Sequence, residues 1–231
     1  MPRILALDTA TNACSAAFSV DGTVQAARHE LMVRGHAERL MPMIAEVMAE
    51  AGAEPDTLDL IAVTVGPGAF TGLRVGLAAA RGLALAGGIP AFGMTTTEVL
   101  AAGVAGPWNG LVVALESKRE DLFVQVFDAN GIRLSDPVAL VPAALVDFVG
   151  ETSADNRLLA LAGDGAARAG DVLAAAGFEI DQRGPDYPDA RCLAALAETG
   201  WQPGQPLAAP APLYLRPPDA VVPKDGGRLR L

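Results

Sequence analysis

Cysteine and histidine, which often bind metals or carry redox and nucleophilic chemistry, are scarce in this sequence. The chain has two of each, Cys14, Cys192, His29 and His36. The cysteines have neither metal-ligand nor redox spacing, and two thiols in 231 residues do not make a disulfide framework. Gly35 breaks the segment between the histidines, which argues against a shared metal. We therefore expect no metal site, and a reducing cytoplasm as the setting.

Clusters of lysine and arginine are also missing. The chain has 17 basic and 27 acidic residues, and its formal net charge is -10. A protein that binds nucleic acid by itself normally neutralises phosphates with clustered basic side chains. Any nucleic-acid role of this chain therefore requires a basic partner.

Long unbroken apolar runs are absent too. The two longest uncharged runs, residues 99–115 and 199–215, are interrupted by glycines and prolines. Segments broken in this way do not span a membrane as helices. Asp8 interrupts the N-terminal apolar run after a few residues, which excludes a signal-peptide core. We expect neither a membrane span nor a secretion signal.

The chain does have a regular alternation of strand and helix signals. It is 51% apolar and 19% charged, which suits one large globular domain or two small ones. Asp21-Gly22 and Asn130-Gly131 are dipeptides typical of hairpin turns. Because strands and crossover helices follow each hairpin, the pattern predicts an α/β protein of two lobes with mixed sheets. The predicted lobes are residues 1–105 and 106–231, and the last helix of the second lobe could pack back on the first.

Individual elements are predicted from periodicity and from glycine and proline stops. Strands are predicted at residues 4–7, 14–20, 23–27, 58–65, 111–115, 122–127 and 158–162. Helices are predicted at residues 36–51, from the glycine turn to about 86, and at 142–149, 166–176 and 191–199. Pro42 either kinks the first helix or marks its true start. A proline-rich segment and a polar tail follow the last helix.

The segment VGPGAFTGLRVG, residues 65–76, looks like a phosphate-binding loop before a helix but matches neither nucleotide motif. A Walker A loop needs lysine where Leu73 stands, and Gly66 and Gly72 are one residue too far apart. The dinucleotide fingerprint fails because Thr71 takes the place of its third glycine. What remains is a tight turn and a helix N-terminus whose free N–H groups could hold an anion.

The helix after this turn carries a ridge of small residues. Gly72, Gly76, Ala80 and Ala84 recur every fourth residue. Glycine lowers helix stability by up to about 1 kcal/mol per residue relative to alanine, and close approach of another backbone would offset that cost. The neighbour is either the protein's own sheet or a helix of a second chain.

Asp8 ends the first predicted strand and is followed by Thr9, Thr11 and Asn12. This group could place a carboxylate and hydroxyls at a metal-phosphate site. A strand-end aspartate is also a common turn residue, so both interpretations stay open.

Four segments become recognisable together. They are ILALDTATNACSAAF from residue 4, GHAERLMPMI from residue 35, VGPGAFTGLRVGLAAARGLALA from residue 65 and APLYLRPPDA from residue 211. In their residues and in their order along the chain, they resemble the bacterial TsaB (YeaZ) family of tRNA threonylcarbamoyladenosine biosynthesis proteins. The resemblance implies the actin-like ATPase fold of sugar kinases, Hsp70 and actin, with two α/β lobes. It also implies a part in placing threonylcarbamoyl on the adenosine next to the anticodon of certain tRNAs.

The resemblance further implies a division of labour. The related subunit TsaD transfers the group from threonylcarbamoyl-AMP, the ATPase TsaE is a third component, and the present type of chain is a non-catalytic partner. It would form a heterodimer with TsaD, form a homodimer when alone, and meet tRNA only through the complex. No cofactor is expected on this chain alone, while ATP or ADP could bind in the complex.

Two motif losses favour a scaffold over an enzyme. Catalytic relatives carry a metal-binding His-x-x-x-His, whose best placement here is Thr96 and Leu100, and leucine cannot bind a metal. Actin-like ATPases use Asp-x-Gly at the end of strand one, whereas this chain has Asp8-Thr9-Ala10, whose Cβ should weaken the approach to phosphate. The residues of a possible degenerate nucleotide site are Asp8, Thr9, Gly66 and Gly68.

We predict that the first two helices form a helix bundle with TsaD. The predicted interface residues are Leu40, Met43 and Val47 on the first helix and Phe70, Leu73, Arg74 and Leu77 on the second. Two departures from the family pattern bear on the site: Ala69 replaces the serine common after GPG, and Glu116 stands where relatives often have aspartate. Two other functions stay open, an active small-molecule kinase or ATPase of the same fold and a glycoprotease-like metallopeptidase.

Overall fold

The first lobe is built on a five-stranded mixed sheet. The structure is a computed structural model that describes residues 1–153, 158–182 and 184–216. The strands of the first sheet are β1 (Arg3–Asp8), β2 (Ala13–Val20), β3 (Thr23–Leu31), β4 (Leu60–Thr64) and β5 (Ala91–Met94). Their spatial order is β3-β2-β1-β4-β5, with β1 to β3 antiparallel and β4 and β5 parallel to β1. Asp21 and Gly22 have positive φ angles of 51° and 73°, so the predicted hairpin turn is confirmed.

Helices cover both faces of this sheet. The helices of the described chain are α1 (His36–Glu50), α2 (Phe70–Gly87), α3 (Thr96–Ala102), α4 (Pro142–Thr152), α5 (Ala166–Ala175) and α6 (Ala190–Gly200), with a 3₁₀ turn at Pro55–Thr57. Leu5 and Leu7 of β1 pack with α1 and α2, whereas Ile4 and Ala6 point to the opposite face and pack with α6. Pro42 lies inside α1 and does not mark its start. In the part of the chain that the structure describes, no helix is long and apolar enough to cross a bilayer.

The second lobe repeats the topology of the first. Its strands are β6 (Gly110–Glu116), β7 (Leu122–Asp128), β8 (Val138–Leu140), β9 (Leu158–Ala162) and β10 (Glu179–Gln182), in the order β10-β9-β6-β7-β8. When the strands are numbered within each lobe, both sheets have the spatial order 3-2-1-4-5. In both, strands 1, 2 and 3 are antiparallel to their neighbours among these three. The fourth and fifth strands run parallel to the first in both sheets. Helices α4 and α5 cover one face, and α3 packs on the other.

Periodicity predicts the long elements and misses the short ones. The helix predicted at residues 36–51 is α1, and the strand predicted at residues 158–162 is β9. The predicted set lacks β5, β8 and β10, which have 4, 3 and 4 residues, because so few residues carry no visible period. It also lacks α3, although Thr95 and Glu98 form a capping box at its start, a signal that the sequence offers. The polar tail beyond residue 216 lies outside the described residues, and the lobe boundary at residue 105 stays a prediction.

Candidate functional site at the glycine turn and the interlobe cleft

The glycine turn between β4 and α2 lies directly against the turn between β1 and β2. The Ala69 N–H donates to the Ala10 carbonyl oxygen at 2.7 Å, and the Thr9 hydroxyl donates to the Gly72 carbonyl oxygen at 2.7 Å. The two turns therefore satisfy each other's polar groups. The turn after β1 is the position for which the sequence leaves open either a phosphate site or an ordinary turn.

The glycines of this region are required because the two backbones touch. A Cβ atom on Gly68 would overlap the Ala10 carbonyl oxygen, and one on Gly72 would overlap the Thr9 carbonyl oxygen. A Cβ atom on Gly76 would lie 2.6 Å from the Thr9 hydroxyl oxygen. The neighbour of the small-residue ridge is thus the protein's own β1–β2 turn along this part of α2. The alternative of a second chain is wrong for Gly72 and Gly76.

Asp8 is fully buried beneath the two turns. Its Oδ1 accepts hydrogen bonds from the Thr64 hydroxyl at 2.6 Å and from the Ala10 N–H at 3.2 Å. Its Oδ2 has no hydrogen-bond partner among residues 1–153, 158–182 and 184–216. Burial raises the pKa of Asp8 to about 7, against the lowering effect of both hydrogen bonds, and the Asp189 carboxylate raises it further. Burial therefore favours the protonated form of this carboxyl.

The structure brings the four candidate nucleotide residues together but leaves them little room for a ligand. Asp8 and Thr9 lie next to the glycine turn of Gly66 and Gly68, as the sequence predicts for a degenerate site. Phosphate binding at such a turn uses free backbone N–H groups, and the Ala69 N–H is already bonded to Ala10. Of the four candidates only Gly68 lines the neighbouring cavity.

That cavity, of about 1020 Å³, lies between the lobes in front of the first turns of α1 and α2. The turn after β6 and residues 213–216 close its other sides. Its basic lining residues are Arg34, Arg74, Lys118, Arg119 and Arg216, and its acidic ones are Glu38 and Glu116. Arg168 pairs with Glu116 at 2.8 Å and neutralises it. The cavity of an acidic chain is therefore locally basic, and such a lining suits an anionic group.

Five of the seven predicted interface residues lie in the protein's own core. Leu40, Met43, Val47, Leu73 and Leu77 are at most 3% exposed. All but Leu73 belong to the apolar cluster between the sheet and the two helices, so these five side chains have no area to give to a partner. Choosing them is wrong because the apolar stripe of an amphipathic helix covers its own sheet first.

The remaining two predicted interface residues are exposed, and other exposed residues continue their row. Phe70 is 51% exposed, and Arg74 lies one helical turn further on α2. We call the outward surface of the two helices the outer α1–α2 face. Its exposed residues are Met41 and Ala45 on α1, and Phe70, Arg74, Ala78, Gly82 and Leu85 on α2. Leu85, at 86% exposed, is the most solvent-exposed leucine of the pair of helices.

One contributor to this surface is missing from the residues predicted from the sequence. Residues 210–216 cross α2, and the Tyr214 ring stacks on Phe70 with a centroid distance of 5.5 Å. The segment APLYLRPPDA carries the family resemblance, but its prolines indicate only an extended chain and not where it lies.

The positions aligned with the lost metal ligands are part of the fold. Thr96 and Leu100 are both fully buried at the start and middle of α3. His36 is engaged elsewhere, with its Nε2 3.0 Å from the Thr11 carbonyl oxygen. In the described ranges no three His, Cys, Asp or Glu residues are grouped as metal ligands would be.

The two lobes with one shared strand order, facing each other across a cleft, define the actin-like ATPase fold class. A solved structure from Pseudomonas aeruginosa, described as similar to the peptidase YeaZ, matches this one with a TM-score of 0.78 and 27% identity. That match covers 94% of this chain and 100% of the other. A second structure, YeaZ from the same organism, gives a TM-score of 0.72 over 93% of this chain and 100% of that chain, also at 27% identity.

The sequence comparisons narrow the class to a family. The family model for TsaD, tRNA N6-adenosine threonylcarbamoyltransferase, matches residues 28–154, more than half of the chain. TsaB of Escherichia coli is 38% identical over 135 residues, which is 56% of this chain and 58% of that protein, so the match spans little more than half of that relative. An uncharacterised protein of Mycobacterium tuberculosis is 35% identical over 94% of this chain and 93% of its own length. The chain belongs to the TsaD family, as a member of the TsaB/YeaZ type.

Gly72→Ala tests the backbone contact, with Gly82→Ala as its matched control on the same helix. The added methyl group at Gly72 overlaps the Thr9 carbonyl oxygen, whereas Gly82 has nothing within 4 Å. We expect Gly72→Ala to lower the free energy of unfolding by about 2 kcal/mol or more, and Gly82→Ala to raise it by about 0.5 to 1 kcal/mol. Urea unfolding of the two variants measures both changes. Equal effects would contradict the packing described here.

Asp8→Asn tests the buried carboxyl through its pH dependence. The folded pKa of about 7 lies above the ordinary value of 3.8, so the contribution of Asp8 to stability is fully present below pH 4 and is lost as the pH rises to 7. The loss amounts to at most about 4 kcal/mol. The asparagine of the variant cannot ionise, so the stability of the variant relative to wild type should increase between pH 4 and 7 and stay level above. Urea unfolding of the variant and of wild type across that range measures the difference. A flat difference for Asp8→Asn would show that Asp8 is not the group titrating.

Proposed function

We propose that this chain is a non-catalytic accessory subunit for the N6-threonylcarbamoyladenosine modification of tRNA. It binds the related catalytic subunit TsaD and, together with the ATPase TsaE, supports transfer of threonylcarbamoyl from threonylcarbamoyl-AMP to the adenosine next to the anticodon. The observation that carries the proposal is the contact between the glycine turn and the β1–β2 turn, whose polar groups bind each other. The likeness to proteins named tRNA threonylcarbamoyladenosine biosynthesis protein TsaB supports this pathway.

The absence of catalysis is supported by what stands at two reactive positions. Buried Leu100 occupies the best placement of a metal-binding histidine. Ala10 is fully buried, and its carbonyl oxygen accepts the Ala69 N–H that a phosphate would otherwise use. A chain with these two features supports a partner's active site and has no comparable site of its own.

The partner surface of the proposal is the outer α1–α2 face. It combines small residues, which allow close helix approach, with the exposed apolar side chains of Met41, Phe70 and Leu85. When the partner is absent, the same face can pair with a second copy around a two-fold axis.

Nucleotide and tRNA enter the proposal through the assembly. This chain alone binds no cofactor, and ATP or ADP binds in the complex, where the basic cavity can face the partner. The net charge of -10 leaves the main contact with tRNA to basic surfaces of other subunits, in the cytoplasm.

One observation favours a second candidate function, an active small-molecule kinase or ATPase. A basic cavity of about 1020 Å³ between two lobes is large enough for a nucleotide. Isothermal titration of the isolated chain with Mg-ATP separates the two functions. The scaffold proposal expects no micromolar binding and no turnover, and micromolar binding with turnover would favour the enzyme.

The interface is tested by the double variant Ala78→Glu/Leu85→Glu. Both residues are exposed, so the variant tests binding, whereas a charge at buried Leu73 or Leu77 would test folding. Burying two uncompensated carboxylates should weaken the TsaD complex at least tenfold. Size-exclusion chromatography of the chain mixed with TsaD measures it. The control is Ile132→Glu, an equally drastic change at a residue 62% exposed on the second lobe, which should leave co-elution unchanged. Undiminished co-elution of the double variant would remove this face from the interface.

A further inference from the structure

Residues 210–216, which we call the C-terminal strap, connect the two lobes. The Leu213 N–H donates to the Val65 carbonyl oxygen at 2.7 Å, and Arg81 on α2 donates through Nε to the Pro210 carbonyl oxygen at 3.0 Å. At its other end, Arg216 donates to the Ser117 hydroxyl at 2.7 Å and pairs with Asp121. The strap is therefore fixed to the first lobe through Leu213 and Pro210, and to the second through Arg216.

The strap packs directly against the glycine turn. A Cβ atom on Gly66 would lie 2.9 Å from the Leu213 carbonyl oxygen, and one on Gly93 would lie 3.2 Å from Cβ of Pro210. Gly66 also has a φ of +112°, which side-chain-bearing residues rarely adopt. The first glycine of the GPG turn is thus explained by the strap, whereas Gly68 and Gly72 are explained by the β1–β2 turn.

Tyr214 lies between the two anchors and organises the start of α2. Its ring stacks on Phe70 at a centroid distance of 5.5 Å and an interplanar angle of 29°. The Arg74 guanidinium lies over the Phe70 ring, with its Cζ 3.6 Å from the ring centroid. Arg74 Nε donates to the Tyr214 hydroxyl at 3.1 Å. Tyr214 thereby fixes the two predicted interface residues that are exposed.

The cluster stays available to a partner although it is ordered within the chain. Phe70 and Tyr214 are 51% and 44% exposed. Arg74 makes no ion pair with a carboxylate of the described residues, and its hydrogen bond to Tyr214 uses Nε. Among residues 1–153, 158–182 and 184–216 its terminal nitrogens have no carboxylate partner, so they can donate to a carboxylate of another chain. Tyrosine and arginine held in place beside apolar surface are the residues that most often dominate protein interfaces.

We infer that Tyr214 is a positioning residue of the partner interface, which holds Phe70 and Arg74 ready for a carboxylate-bearing apolar surface of the transferase subunit. The inference rests on the proposed function and adds to it a residue from the far end of the chain. Its physical reason is preorganisation. A flexible side chain loses conformational entropy when a partner immobilises it, which weakens binding. Because Tyr214 already orders Phe70 and Arg74 in the free chain, these two side chains lose less entropy on binding.

Binding of the purified full-length chain to TsaD of the same organism, measured by surface plasmon resonance, tests the inference. Tyr214→Ala removes both the stack and the hydrogen bond, and it should raise Kd about tenfold. Tyr214→Phe keeps the stack and loses only the hydrogen bond from Arg74, so most of the affinity should return. The matched control is Tyr187→Ala, the other tyrosine of the chain, which should bind like wild type.

A double-mutant cycle distinguishes positioning from general stabilisation. If Tyr214 acts through Phe70, then Phe70→Ala/Tyr214→Ala should bind no more than about twofold worse than Phe70→Ala alone. Thermal unfolding of Tyr214→Ala should stay close to wild type, since the side chain is 44% exposed.

The outcomes separate the inference from the proposed function. If wild type binds TsaD and Tyr214→Ala binds it equally well, the inference is overturned and the proposed function stands. Full additivity in the cycle would likewise overturn it. Wild type that does not bind TsaD would remove the proposed function and the inference with it.

Discussion

The contact of two backbones, the glycine turn against the β1–β2 turn, is the constraint on which the rest of the structure depends. It sets the direction in which α2 leaves the sheet, because Gly72 and Gly76 allow the helix to lie against Thr9. The same contact buries the Asp8 carboxyl beneath the backbone of the two turns, and this burial raises the pKa of Asp8. Finally, it pairs the Ala69 N–H with the Ala10 carbonyl oxygen and the Thr9 hydroxyl with the Gly72 carbonyl oxygen. One packing arrangement thus explains both the close approach of α2 to the sheet and the little room left beside Asp8 and Thr9.

The two lobes share a strand order but differ at their equivalent first turns. In the first lobe the turn after β1 is buried against α2, and in the second the turn after β6 carries Lys118 and Arg119 at the interlobe cavity. Glu116, the last residue of β6 as Asp8 is of β1, pairs with Arg168 and is not fully buried. The C-terminal strap links the same two regions through Leu213 and Arg216. Contacts within the chain therefore connect the two lobes beside the interlobe cavity.

The fold could be predicted from the sequence to the extent that its signals are local. The 3.6-residue spacing of apolar positions in α1 and the Asp21-Gly22 turn are properties of short segments, and the structure confirms both. The choice of Leu40, Met43 and Val47 for a partner is wrong because periodicity identifies an apolar stripe without saying what covers it. The small-residue spacing marks Gly72 as a point of close approach, but its neighbour is 63 residues away in sequence at Thr9. Tyr214 and Phe70 meet across a still longer separation, which no periodicity reports.

The central claim is that this chain is required by a catalytic subunit and has no transferase activity of its own. Reconstituted modification of tRNA from threonylcarbamoyl-AMP, with TsaD, TsaE and this chain each added or left out, measures it most directly. We predict that TsaD and TsaE modify tRNA efficiently only when this chain is added, and that this chain without TsaD modifies none. Modification by this chain without TsaD, or equal modification by TsaD and TsaE in its absence, would contradict the claim.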